Sequence, residues 1–215
     1  MRYSVIDLPC TAENVQERMN SFLGHAVFGY LGLRPFFAQH TGAEHTALKR
    51  WAAGRSALVE IGVAEGVSAF AIREGMSEQA TLFLVDPFHL SRMPALNFTR
   101  RAARRAVEDC KRGRVEWIEE FSYEAVKRWN KEIDFLLIDG DHSEAGVKRD
   151  WDDWSRFVAK RGVVVFHDAR TFEGGWTSGS HGPVRLVNDL FRTGTVPVWK
   201  IVNEVDSLVV VERQV

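Results

Sequence analysis

From residue 57 onward, short apolar runs alternate with longer amphipathic stretches, and this alternation restricts the chain to very few architectures. The runs are 57–61, 82–86, 115–118, 134–138 and 163–166. Each is continuously apolar rather than alternating, as expected of strands covered on both faces. The pattern therefore predicts an α/β fold, a mainly parallel sheet with helices on both sides. Between the fourth and fifth runs, Val147, Trp151, Trp154 and Val158 recur at helical spacing, with Gly162 placed as a C-terminal cap. Two further runs, 198–203 and 207–212, are separated only by Glu204-Val205-Asp206, which allows nothing but an antiparallel hairpin. The prediction is a seven-stranded sheet, five parallel strands closed by a C-terminal antiparallel hairpin.

Residues 1–48 lack this alternation and hold Gly24, Gly29, Gly32 and Pro35 among Phe22, Phe28, Tyr30, Phe36 and Phe37. They read as a helical lid or docking segment ahead of a domain spanning 49–215. Their aromatic side chains are placed to enclose an apolar acceptor or to dock a second copy in a homo-oligomer. With 45% hydrophobic residues the chain can build a sizeable core. Lys+Arg 28 against Asp+Glu 29 leaves a net charge of -1, with no basic field to hold DNA or RNA, so a nucleic-acid partner is not expected. Cys10 and Cys110 form neither a disulfide framework nor a zinc pair. No run approaches the roughly 18 apolar residues of a membrane span, and MRYSVIDLPC has no signal core, so a soluble, cytoplasmic protein without a membrane partner is expected.

In an open parallel sheet, ligands bind beyond the carboxyl ends of the strands. After the first strand comes Glu60-Ile61-Gly62-Val63-Ala64-Glu65-Gly66-Val67-Ser68. Gly62 and Gly66 let a backbone approach a ligand closely, and Glu60 suits a cationic ligand better than a phosphate. The G-x-x-x-G spacing departs from the G-x-G-x-x-G of dinucleotide sites. At the second strand end, Asp86 offers two acceptor oxygens to ribose hydroxyls, or serves as a turn residue before Pro87. After the third, Ser122 is placed to cap a helix, with Phe121 and Tyr123 offering apolar surface to an adenine. The fourth strand ends in Asp139-Gly140-Asp141-His142 and the fifth in His167-Asp168. Carboxylates and imidazoles gathered at neighbouring strand tips are costly unless a ligand, metal or partner compensates them.

Together these strand-end motifs, over about residues 55–213, make the chain resemble the class I S-adenosylmethionine-dependent methyltransferases, whose Rossmann-like sheet ends in the same hairpin. Within that class, Leu137-Ile138-Asp139-Gly140-Asp141-His142 followed by Val164-Val165-Phe166-His167-Asp168 resembles the small, often metal-dependent O-methyltransferases of the catechol, caffeoyl-coenzyme A and natural-product sugar type. The resemblance implies a small-molecule acceptor with S-adenosylmethionine as cofactor. Glu60, Gly62, Gly66 and Ser68 would surround its methionine part, Asp86 its ribose, Phe121 and Ser122 its adenine, with Asp139 beside them. It further implies divalent metal ligands at Asp139, His167 and Asp168. An imidazole among them departs from the family's oxygen donors, so Mg²⁺ or Mn²⁺ stays open alongside Fe²⁺, Zn²⁺ or no metal.

His142 is the candidate base, its unperturbed pKa of ~6.5 suiting neutral pH, with Asp141 as the alternative. Two other functions fit a similar sheet, an NAD-dependent oxidoreductase and a non-catalytic cofactor-binding partner of a larger assembly. The basic group Arg100, Arg101, Arg104, Arg105, Lys111, Arg112 and Arg114 reads as a solvated helix face, or as a site for an anionic acceptor. The glycine-rich loop 174–183 follows the fifth strand, and Trp176 within it suggests a lid. His25, His40, His45 and His89 read as surface residues.

Overall fold

The computed structural model describes residues 39–88 and 97–215. The aromatic segment before residue 39, with Cys10, His25 and His89, lies outside the described residues. The chain order is α1 (Gly42–Ala52), β1 (Ala57–Ile61), α2 (Val67–Gly75), β2 (Thr81–Val85), α3 (Phe98–Glu108), β3 (Arg114–Ile118) and α4 (Ser122–Ala125). It continues with β4 (Ile133–Ile138), α5 (Glu144–Trp154), β5 (Val158–Phe166), α6 (Gly182–Val187), β6 (Trp199–Val205) and β7 (Leu208–Arg213). The sheet order is β3-β2-β1-β4-β5-β7-β6, with β7 antiparallel to both β5 and β6 and the remaining pairs parallel. The strand order reverses at the junction of β1 and β4, so their carboxyl ends open a crevice there.

Period-two alternation divides the core between the two faces of the sheet. Leu58, Leu82, Leu84, Phe135, Leu137, Val163 and Val165 pack against α1 and α2, where Leu48, Ile72 and Met76 are buried. The intervening Val59, Phe83, Leu136, Ile138, Val164 and Phe166 pack against Trp151 and Trp154 of α5 and Trp199 of β6. The tryptophans form an aromatic cluster here, Trp151 meeting Trp199 edge-on at 4.9 Å and Trp129 meeting Trp154 at a tilt at 5.2 Å between ring centroids.

Two boundaries differ from the sequence reading. The helix carrying Val147, Trp151 and Trp154 ends at Trp154 and one 3₁₀ turn, so Val158 and Gly162 belong to β5 rather than to a helix and its cap. The β-branched run Val163-Val164-Val165 forms the strand, and pairing of Ile133 with Val158 extends it backwards. The boundary expected at residue 48 falls inside α1, whose Ala47, Leu48 and Ala52 share a core with β1. Thr41 starts α1 with a capping box, its side chain accepting from Glu44 N while Glu44 accepts from Thr41 N.

Candidate active site

A cleft of about 670 Å³ opens at the carboxyl ends of β1, β2 and β4, lined by the β1–α2 turn, Asp86, Phe121, Ser122, Tyr123 and the segment Asp139 to His142. The sheet brings these together from positions far apart in sequence, and the volume suits a small ligand.

At the β1 end, Gly62 and Gly66 both have positive φ, 86° and 81°. Both line the cleft, and packing also requires a glycine at each. A Cβ on Gly62 would lie 2.2 Å from the Asp139 carbonyl oxygen, and one on Gly66 would lie 2.9 Å from that of Ala103. Glu60 is fully buried and lies beneath the cleft instead of lining it. Ser68, which does line it, donates a short hydrogen bond to Glu60 Oε1, and Oε2 has no partner. Burial pushes the Glu60 carboxyl well above the usual carboxylate range. Asp86 reaches back to the turn: its Oδ2 accepts from Val63 N at 2.8 Å and Ala64 N at 3.3 Å, and its Oδ1 from Phe88 N at 2.7 Å. Oδ1 keeps a further lone pair, and Asp86 lines the cleft, where that oxygen could accept from a hydroxyl of a diol.

Ser122 is the first residue of α4 rather than its cap, which is Phe121. Its hydroxyl donates to Asp150 Oδ1 at 2.5 Å. Phe121 is 41% exposed and stacks on Tyr123 at 5.2 Å, with the Arg149 guanidinium 5.0 Å over the Tyr123 ring. This aromatic platform is an apolar wall at the cleft mouth.

The β4 and β5 tips carry the densest charge. His167 is 4% exposed, its Nδ1 3.1 Å from Asp139 Oδ1 and 3.2 Å from Asp168 Oδ1, and its Nε2 3.7 Å from Glu44 Oε2. None of these contacts aligns as a hydrogen bond, so both buried ring nitrogens are unsatisfied. Burial opposes a charge on His167, but Asp139, Glu44 and Asp168 outweigh it and raise its pKa well above the ordinary value. The Asp139 carboxyl is held below its usual range, the charge of His167 and the hydrogen bond of His142 overcoming burial. His142 Nε2 lies 3.2 Å from Asp139 Oδ1 and its Nδ1 3.6 Å from Asp168 Oδ2. The bond to Asp139 raises the His142 pKa, which favours the charged form and weakens it as a base at neutral pH. Asp141 accepts from Ser143 N at 2.9 Å in a turn before α5.

The set that could hold a metal therefore differs from the expected one. Side-chain donors of Asp139, His142 and His167 lie within 4.8 Å of one another. Asp168, with φ at 53°, stays beside them, its Oδ1 3.2 Å from His167 Nδ1 while accepting from Trp176 Nε1 at 2.6 Å. Trp176 in turn stacks near His167, at 6.3 Å between ring centroids, so the 174–181 loop does overhang the strand tips. Gly182 and Pro183 belong to α6 instead.

Four residues here escaped the sequence reading or were placed elsewhere by it. Glu44 is fully buried, its Oε1 accepting from both the amide and the hydroxyl of Ser207, and its capping-box position announced only the start of a helix. His40 and His45 are paired through His40 Nε2 and His45 Nδ1 at 3.2 Å, and His40 is 6% exposed rather than on the surface. Asp150 is buried although it lies on the amphipathic α5. The arginines of α3 are engaged at home: Arg100 and Arg104 both bind Glu119 at 2.7 Å.

A family model described as a methyltransferase domain matches residues 59–169, more than half of the chain. The chain belongs to that methyltransferase family. It is an S-adenosylmethionine-dependent methyltransferase. Among solved structures it is similar to the O-methyltransferase from Bacillus cereus in complex with SAH, with 13% identity, 90% and 91% of the two chains covered, and a TM-score of 0.61. It is similar also to the O-methyltransferase TomG from Streptomyces achromogenes, involved in tomaymycin synthesis and bound to SAM, with 14% identity, 94% and 100% coverage and a TM-score of 0.60. An rRNA methylase from Streptococcus thermophilus has 11% identity, 83% and 100% coverage and a TM-score of 0.54. At these identities the likeness is one of fold, so the acceptor of this methyltransferase has to be read from its own site.

Proposed function

We propose that this methyltransferase transfers the methyl group to a hydroxyl oxygen of a small-molecule acceptor bound beside the β4 and β5 tips. The observation that carries this reading is the Asp139, His142, His167 cluster with its two unsatisfied, buried imidazole nitrogens next to the cofactor cleft. A hydroxyl is a weak nucleophile until its proton is removed or its oxygen is polarised, and groups able to do either are concentrated there. The cleft suits the cofactor as well. Asp86 can meet a ribose diol, the Phe121 and Tyr123 rings can flank a base, and Ser68 with Ser122 supplies hydroxyls. Bound there, S-adenosylmethionine supplies a methyl group made electrophilic by its sulfonium.

The donor set of two imidazoles and one carboxylate suits Mn²⁺, Fe²⁺ or Zn²⁺ better than Mg²⁺, which favours oxygen ligands. Asp139, His142 and His167 would hold such an ion, and its chemistry there is Lewis acidity toward an oxygen nucleophile. A proton and a cation compete for the same imidazole nitrogen, so the raised pKa of His167 makes any metal affinity rise with pH. The chain's own contribution is positioning: α1 buttresses His167 through Glu44, and Trp176 fixes Asp168 beside His167.

The test is transfer of a labelled methyl group from S-adenosylmethionine to catechols, phenols and sugars, with the product position read by NMR. O-methylated product is expected, with turnover of His167→Ala lower by roughly 10²-fold or more and SAH affinity unchanged. Methyl groups found only on nitrogen or carbon would overturn the reading. Chelation followed by Mn²⁺ addition decides the metal: loss and recovery of activity supports it, and full activity in chelator removes it.

A further inference from the structure

The pairing of His40 with His45 continues to the surface. His45 Nε2 lies 3.3 Å from Glu74 Oε2 on α2, and the Glu74 side chain is 31% exposed. Hydrogen-bond polarity sets the direction of this chain. An ionised carboxylate only accepts, so His45 Nε2 must carry the proton. Neutral His45 then has its lone pair on Nδ1, and the 3.2 Å contact requires His40 Nε2 to be the donor. The lone pair of His40 is left on Nδ1, which has no hydrogen-bond partner among the described residues. His40 lines the cleft, and one turn further along, Glu44 reaches His167, which sets His40 on the acceptor side next to the strand-tip cluster.

We propose that His40 is the general base that removes the acceptor hydroxyl proton, and that His45 and Glu74 are positioning residues that fix its tautomer and lead the proton to solvent. This rests on the hydroxyl-acceptor reading above. As the acceptor oxygen bonds to the methyl carbon, the carbon–sulfur bond breaks and its electron pair returns to sulfur, converting the sulfonium to a thioether. The hydroxyl proton passes to His40 Nδ1, the Nε2 proton of His40 to His45 Nδ1, and the Nε2 proton of His45 to Glu74, which releases it to water.

The electrostatics set the protonation state of His40. Burial above all, with the charge of His167 acting the same way, holds the His40 pKa down to about 4 against the opposing pull of Glu44 and Asp139. His40 is thus neutral at pH 7, whereas His142 and His167 are both shifted toward the charged form.

Histidine ¹⁵N spectra of the full chain with SAH bound test the polarity directly, using His40→Gln and His45→Gln to assign signals. The expected result is a neutral His40 with its proton on Nε2 at pH 7, changed by Glu74→Ala. A proton on Nδ1, or a charged ring, overturns the proposal without need of any folded variant. With an O-methyl acceptor from the catechol, phenol and sugar panel, His40→Gln should lower kcat roughly 10²–10⁴-fold with SAH affinity within about twofold. His45→Gln and Glu74→Ala should lower kcat on the order of tenfold. Normal O-methylation by His40→Gln sinks the relay and leaves the proposed function standing. A wild-type chain that O-methylates no member of the panel sinks the hydroxyl reading, and the assignment of His40 as base falls with it.

Discussion

Asp150 is the residue where burial and pH meet most clearly. It is 4% exposed, and its pKa is raised to about 6, chiefly by burial, against the stabilising hydrogen bond from Ser122. A carboxyl whose pKa is higher folded than unfolded binds more protons when folded, so its contribution to stability is present at low pH and declines between about pH 4 and pH 6. Asp150→Asn keeps an acceptor for the Ser122 hydroxyl and removes the buried charge. Melting curves should then show the variant more stable than wild type by about 1–3 kcal/mol at pH 7.5, with the difference vanishing near pH 4. An equal difference at both pH values would mean that Asp150 is ionised at no cost. Single residues also show why sequence reading stops short: Glu60 and Glu44 are both fully buried, yet one carboxyl is raised and the other lowered. The difference lies in whether His167, Ser207 and Thr41 reach the side chain, and local sequence contains no trace of that.

At the level of elements, the β1–α2 turn illustrates a motif read correctly in position and only partly in cause. Its glycines are needed because β1 and β4 bring Gly62 against the Asp139 backbone, with a positive φ as well. Gly62→Ala should cost roughly 2–4 kcal/mol in denaturant unfolding and disturb Asp139, whereas Gly42→Ala, with open space around its Cβ position, should stay within about 0.5 kcal/mol. The loop after β5 behaves as an element too. Trp176 is tied to Asp168 at 2.6 Å and meets Phe172 edge-on at 5.3 Å, so it holds the loop against the strand tips while leaving the tryptophan 37% exposed. A lid could be suspected from glycine and tryptophan composition, but its anchor on Asp168 required the fold to bring them together.

For the whole molecule, a cleft assembled from the ends of separate strands makes ligand binding and folding the same equilibrium. SAH at about 100 times its Kd should stabilise the chain by about 2.7 kcal/mol, or roughly 5–10 °C in Tm for a domain of this size. Asp86→Ala should abolish most of that shift, because Asp86 lines the cleft, and should also lower the unliganded Tm, because three backbone N–H groups lose their acceptor; an undiminished shift would move the cofactor elsewhere. At this scale the amino-acid sequence was most informative. Continuous apolar runs separated by amphipathic helices require a two-faced parallel sheet, and a connection too short for a crossover requires the closing hairpin, so fold and cleft location followed from periodicity alone. The order of acids and histidines at the strand ends also marked where chemistry should gather. What only the tertiary structure decided was which of them face one another. His142 joins Asp139 and His167 in the donor cluster while Trp176 ties down Asp168 beside it, and His40 lines the cleft where α1 packs beside α2 and brings His45 to Glu74. Periodicity fixes the face and the end of an element, whereas the rotamer, partner and protonation state of a buried polar group depend on neighbours contributed by other elements.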